Sequence, residues 1–329
     1  MRLGTLEVTF HRTVRVAEGR QPSNLPPSLG RIELYRVSEH KNCPKHWEGE
    51  GFFAALHDTE AMWMSFHSPM PIAILVGAGG INALTGEKLG TKLEKDNYLV
   101  TPPQPWLDGW KDKDGTVYQF VATPYKKGKG ISVAEQLIGK ESKTGALGIA
   151  VFDAKDHSKL SPKHIGHEGT IGSAYTDYYG GVMASCSLGP SESTTNVNKL
   201  HSEGQPITKS LLRSRSTKTF DEMGIGKGGK IIQKIYPDPH GLEVWKEKPA
   251  ATLAVYLVNA MVFEEITGKQ VPIPVGHETY DGHWFGLPDK QEGDVAGSGK
   301  FTGLKSAVFP ASDLTVEDKK KKEKEAVAK

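Results

Sequence analysis

Between Tyr98 and Pro124 the chain reads YLVTPPQPWLDGWKDKDGTVYQFVATP, and few folds accommodate that stretch. Val117, Gln119, Val121 and Thr123 alternate with Tyr118, Phe120 and Ala122, the period of two that sends successive side chains to opposite faces of a pleated strand. Asp114-Gly115 stands just before it, and glycine supplies the positive φ that a tight hairpin turn requires. Upstream, Pro102, Pro103 and Pro105 fix φ and lack backbone donors, so the reading predicts a loop that projects instead of pairing. Trp106, Asp108 and Trp110 ride on that loop.

The same alternation recurs along the chain. Leu6, Val8, Phe10, Val14 and Val16 fall on even positions, which predicts a half-buried strand with a bulge or crossing point at Arg12. Strands are predicted for Ile32 to Val37, from Ala61 onward, and for Ile72 to Val76, the last apolar on both faces and therefore central. Gly77-Ala78-Gly79-Gly80 turns the chain, and Ile81 to Leu84 returns beside it. Ser132 and Glu135 form a capping box that opens a short helix closed by Gly139, and Gly148 to Phe152 is a further strand. Thr219 to Glu222 has the spacing of a second capping box. Lys230 to Tyr236 and Leu253 to Leu257 read as strands, the second leading into a helix over Asn259 to Thr267 that ends at Gly268. These elements predict a mainly β fold: an antiparallel β-sandwich, or two packed β-rich lobes, with two or three short helices.

The expected organisation is a β-rich half over 1–154, a polar and partly mobile insertion over 155–218, strands and a helix completing the sandwich over 219–310, and a disordered Lys-rich tail over 311–329. Within the insertion, 190–198 (PSESTTNVN) has too little apolar content to offset the entropy of ordering. Charge narrows the partners. Forty-one basic against 39 acidic residues leave a formal +2, too little field to gather nucleic acid or anionic membrane. No apolar run approaches the roughly 20 residues of a membrane helix, and no secretory leader is read at the N-terminus. Cys43 and Cys186 are expected to be free thiols, and the chain cytoplasmic.

Several runs together carry a resemblance: LEVTFHRTVRV, EAMWMSF, INALTGE, PQPWLDG, VYQFVATP and SVAEQLIGK, then MGIGKGGKIIQKIYPDP and YLVNAMVFEEITGK. On these the chain resembles a family of soluble β-rich proteins of bacteria and fungi that has no assigned activity. Near the C-terminus such proteins carry Leu-Pro-Trp-Phe, whereas here the run is His283-Trp284-Phe285-Gly286-Leu287-Pro288. The resemblance implies a fold but brings no chemistry.

Candidate chemistry must come from the residues. Gly224-Ile-Gly-Lys-Gly-Gly-Lys230 matches two phosphate-loop strings, yet the following residues alternate as a strand and Ile231 stands where a magnesium-binding Ser/Thr belongs, so a β-turn is expected. His157, His164 and His167 have spacing that zinc could use, but they lie in a glycine-rich polar segment with nothing to form a cage. His40, Cys43 and His46 lack a fourth ligand. No metal and no cofactor are expected. Asp108 between Trp106 and Trp110 offers a desolvated carboxyl beside indoles, suited to general acid work or to a flat ligand. Alternatively the tryptophans cap a sheet end while Asp108 bonds the turn at Gly109. The expectation is a binding or assembly protein, self-associating or taking a small molecule or sugar, with the 102–110 loop as contact surface. The alternative is a hydrolase-type enzyme using Asp108 or the His157/His164/His167 group.

Overall fold

Alternation becomes hydrogen-bonded pairing almost throughout. A computed structural model describes residues 1–16, 18, 22–127, 129–160, 222–271 and 293–307. All of these belong to one compact unit. The strands are β1 (Arg2–Leu3), β2 (Leu6–Thr13), β3 (Tyr35–Arg36), β4 (Phe52–Ala55), β5 (Ala61–His67), β6 (Ile72–Ala78) and β7 (Ile81–Asn82). They continue with β8 (Leu99–Thr101), β9 (Trp106–Leu107), β10 (Gly109–Lys111), β11 (Thr116–Pro124), β12 (Leu147–Phe152), β13 (Glu222–Ile232) and β14 (Ala251–Val258). Helix α1 spans Val133–Ile138 and α2 spans Ala260–Thr267.

These strands make one 14-stranded sheet in the order β1-β2-β5-β11-β13-β14-β12-β6-β7. Strands β10, β9 and β8 attach to β11, β5 and β6, while β4 joins β14 and carries β3. The β4–β14 pair is parallel and the other strand pairs are antiparallel. The mainly antiparallel β class with short helices is therefore as the sequence predicts. One continuous sheet carries the strands, and residues from both ends of its path meet in one core.

That core collects alternate residues: Val8 and Phe10 of β2, Met62, Met64 and Phe66 of β5, Phe120 of β11, Ile149 of β12, Val255 of β14 and Ile74 of β6. Burying each such side chain contributes roughly 1.5–3 kcal/mol. We call the face turned toward this cluster the inner face. Strand β6 is covered on its outer face too, where Ala73 and Leu75 join Val100, Phe152 and Trp245. This is why Ile72 to Val76 is apolar without a break.

Both helices start and stop as their caps dictate. Ser132 Oγ accepts from Glu135 N, and the Glu135 carboxylate ties down the amides of Lys126 and Gly130. Asn259 accepts from Val262 N at 2.9 Å, and Gly268 ends α2 at φ 72°. Among the described residues no helix is long and apolar enough to cross a membrane.

Four expectations are corrected. The Ile32–Val37 strand shrinks to Tyr35–Arg36, with Val37–Glu39 in a 3-10 turn. Glu222 opens β13 and caps no helix. The Lys230–Tyr236 strand begins earlier and ends at Ile232. The glycine run 224–230 is therefore neither turn nor phosphate loop, because it lies inside β13.

Its glycines serve close packing. A Cβ on Gly224 would come within 2.9 Å of Ser132, one on Gly226 within 2.6 Å of Ala307, and one on Gly228 within 2.6 Å of Val121. Gly226→Val is expected to destabilise by about 1–3 kcal/mol, the usual cost of overpacking. A denaturant midpoint unchanged by that substitution would show that Ala307 does not pack on the strand. The expected mobile segment 190–198, the 311–329 tail and Cys186 lie outside the described residues, whereas Cys43 is a free thiol.

Candidate functional site

Strands β5 and β11 pair at Ala61↔Val121 and Met62↔Phe120, then diverge. The chain from 106 to 111 runs into the fork. Its first part, β9, pairs with β5 (Met64↔Leu107, Ser65↔Trp106) and its second, β10, with β11 (Gly109↔Gln119, Trp110↔Tyr118). Asp108 sits at the apex, its carbonyl accepting from Phe120 N at 3.0 Å. Glycine at 109 follows from this geometry, because a Cβ there would fall on the Tyr118 carbonyl oxygen.

The Pro/Trp loop thus does not project, and the expected exposed contact surface is corrected. Trp106 is 5 % exposed, Asp108 1 % and Trp110 0 %. Two side-chain amides, one from the loop itself and one from far along the chain, supply what the prolines withhold. Gln233 Oε1 accepts from Asp108 N at 3.0 Å, and its Nε2 donates to Trp106 O at 2.9 Å. Gln104 donates to the same carbonyl and accepts from Tyr236 N. Buried Lys111 fastens the far end through Gly115 O, Gln233 O and the Asp294 carboxylate, at 2.7 Å to Oδ2. Burial lowers its pKa, and Asp294 opposes that shift.

The fork separates the three residues read as one site. Trp110 enters the inner core, with its ring edge-on to Phe120 and tilted against Phe301, and its indole N–H on Gly226 O at 3.1 Å. Trp106 instead meets Trp63, with ring centroids 6.5 Å apart, and stands beside Asp108. Trp63 in turn stacks on His11, its partner across the β2–β5 pair, with centroids 3.9 Å apart and planes at 12°. The outer face of β2, β5 and β9 therefore carries a buried cluster of His11, Trp63, Trp106 and Asp108.

Its electrostatics are those of a dry site. Burial pushes the Asp108 carboxyl well above the ordinary carboxylate range, and the Trp106 indole beside it only partly opposes this. Burial therefore favours the protonated, neutral form of Asp108. Neither oxygen has a hydrogen-bond partner of good geometry among the described residues, and the same holds for the Trp63 indole nitrogen. His11 is lowered to about 3, first by burial and then by the Arg31 charge, so it too is neutral. Its Nδ1 lies 2.9 Å from Ser28 Oγ and its Nε2 lies 2.8 Å from Ser65 Oγ.

The remaining candidates do not converge. His157 lies in a 3-10 turn, and His164 and His167 fall outside the described residues. His40 Nδ1 contacts Arg36 O, while His46 meets Glu222, which also accepts from the Trp47 indole at 2.7 Å. Among the described residues no three His, Cys, Asp or Glu side chains are placed to hold a metal. Sequence reasoning missed His11, Ser28, Ser65 and Trp63. The available signal was polar and aromatic residues at the outward positions of β2 and β5. The chain matches no protein-family model, no curated protein and no solved structure, so the site is read from its own geometry.

Proposed function

We propose that the chain is a binding protein that holds a small uncharged ligand against Trp63, Trp106 and Asp108. The observation behind this is the Asp108 carboxyl, buried beside the Trp106 indole with neither oxygen in a hydrogen bond of good geometry. Leaving a buried polar group unsatisfied costs about 1–3 kcal/mol, and such costs are retained where a site needs them. A neutral carboxyl both donates and accepts, and indole rings offer apolar contact. The neutral imidazole adds no charge. That combination suits a sugar or an uncharged heteroaromatic amide and disfavours ions. Self-association loses its motive, since the tryptophans expected to need covering are covered by the chain itself.

Titration with a panel of neutral saccharides and uncharged heteroaromatic amides, read by tryptophan fluorescence and thermal melting, tests this. Asp108→Asn keeps the shape but loses the O–H donor, and binding should weaken by about tenfold, near 1.4 kcal/mol. Failure of every probe to move either signal would sink the reading.

The same variant has a pH signature. Folded Asp108 keeps a proton that the unfolded chain loses near pH 4, so its presence costs stability as pH rises. The advantage of Asp108→Asn over the natural chain should grow by up to about 1.4 kcal/mol per pH unit above roughly pH 4. Parallel pH profiles for the two proteins would show that the carboxyl is not buried neutral.

A further inference from the structure

Strands β2 and β5 bring three residues distant in sequence into one hydrogen-bonded line. Ser65 Oγ lies 2.8 Å from His11 Nε2, and His11 Nδ1 lies 2.9 Å from Ser28 Oγ. Ser28 and His11 are covered, whereas Ser65 is half-buried and reaches solvent. The line also has a direction. Ser28 Oγ lies 3.4 Å from Gly30 O and accepts from Gly30 N at 3.2 Å. In the tautomer where its hydroxyl donates to that carbonyl, its lone pairs receive the Nδ1–H of His11. Nε2 is then the acceptor, with its lone pair turned to the Ser65 hydroxyl. Stacking on Trp63 holds the ring in that plane.

We infer that Ser65, His11 and Ser28 form a nucleophile relay through which Ser65 takes acyl groups from activated esters. Such a relay needs a hydroxyl bonded to a base and a base oriented by a third group, and both conditions are met. Ser65 Oγ attacks the ester carbonyl, and its proton passes to His11 Nε2 as the new C–O bond forms. Collapse of the tetrahedral adduct breaks the bond to the leaving alcohol, which takes the proton from Nε2. Ser65 is left as an ester. Water then gives a proton to Nε2 and attacks that ester. The carboxylic acid departs and Ser65 recovers its proton. Ser28 is neutral, and burial with the Arg31 charge holds the His11 pKa at about 3. The imidazole is therefore a weak base, acylation is slow and only activated esters react. The adduct persists because deacylation by water depends on the same weak base. The inference rests on these hydrogen bonds and not on the binding reading.

The full chain, incubated with excess p-nitrophenyl acetate and separately with an alkyl fluorophosphonate, should gain one adduct by intact mass, mapped to the Ser65 peptide. Ser65→Ala should remove it while the chain still melts as a cooperatively folded protein, lower at most by the loss of one partner of the buried His11 ring. Ser28→Ala should slow labelling of Ser65 by about tenfold or more, and Ser28→Thr, which keeps the hydroxyl, should restore it. His11→Gln should abolish labelling, but the serine variants decide the matter because they spare the buried imidazole. Absence of an adduct on Ser65 overturns the relay. So does equal labelling of Ser65→Ala, or a Ser65 rate unaffected by Ser28→Ala.

Discussion

Trp110→Ala is expected to lower the unfolding free energy by about 3–5 kcal/mol, the largest effect of any single truncation on the β9–β10 wedge. The ring is fully buried, packs on Phe120 and Phe301, and satisfies the Gly226 carbonyl across two strands. Truncation leaves a cavity at the centre of the sheet and orphans a buried acceptor, two penalties that add. Trp110→Phe should recover much of the packing but not the hydrogen bond. Equilibrium urea or guanidinium melts give both values. A loss below about 1 kcal/mol for the alanine variant would mean the indole is not core.

Acid should unmask His11. Above pH 6.5 the imidazole is neutral whether the chain is folded or not. As pH falls from 6.5 toward 3 the unfolded chain takes up a proton that the folded one refuses. Stability is then lost at up to about 1.4 kcal/mol per pH unit, several kcal/mol across the window. Arg31 faces the ring as a fixed positive charge and reinforces the refusal, while Ser28 and Ser65 supply no charge to offset it.

Asp108 works in the opposite sense over pH 4 to 6.5, because its penalty shrinks as pH falls. The natural chain should therefore show a flattened profile there, and Asp108→Asn the full histidine slope. Denaturant midpoints for both proteins between pH 4.5 and 7 separate the two groups. A variant equally stable at pH 7 and pH 4.5 would place His11 in contact with water.

Much of the sheet was legible because alternation is local. Strands β2, β5, β6, β11, β12 and β14 and both helix caps could be read from their own residues. Strand β13 could not, since glycines 224, 226 and 228 imitate a turn while answering to Ser132, Ala307 and Val121. Nor could the wedge. Trp106 and Trp110 share parity in sequence, but the change of partner at Asp108-Gly109 shifts the register by one and sends them to different faces. Asp108 stood out for its two indole neighbours, of which the structure keeps Trp106 beside it and turns Trp110 into the core. The His11–Ser28–Ser65 line comes from cross-strand register, which no motif spacing encodes.

The wedge also bears on how the chain is made. Strand β11 lies between β5 and β10 on one side and β13 on the other, and Asp108 N waits for an acceptor 125 residues ahead. A nascent chain that has not yet released Glu222 from the ribosome presents the nine residues of β11 as an open edge in the middle of what will be the sheet. Open edges recruit other strands, and long loops close late. Vectorial synthesis therefore leaves the β10–β11 hairpin waiting for β13 across about a hundred residues of chain, and protection of that intermediate falls to whatever holds nascent chains in the cell.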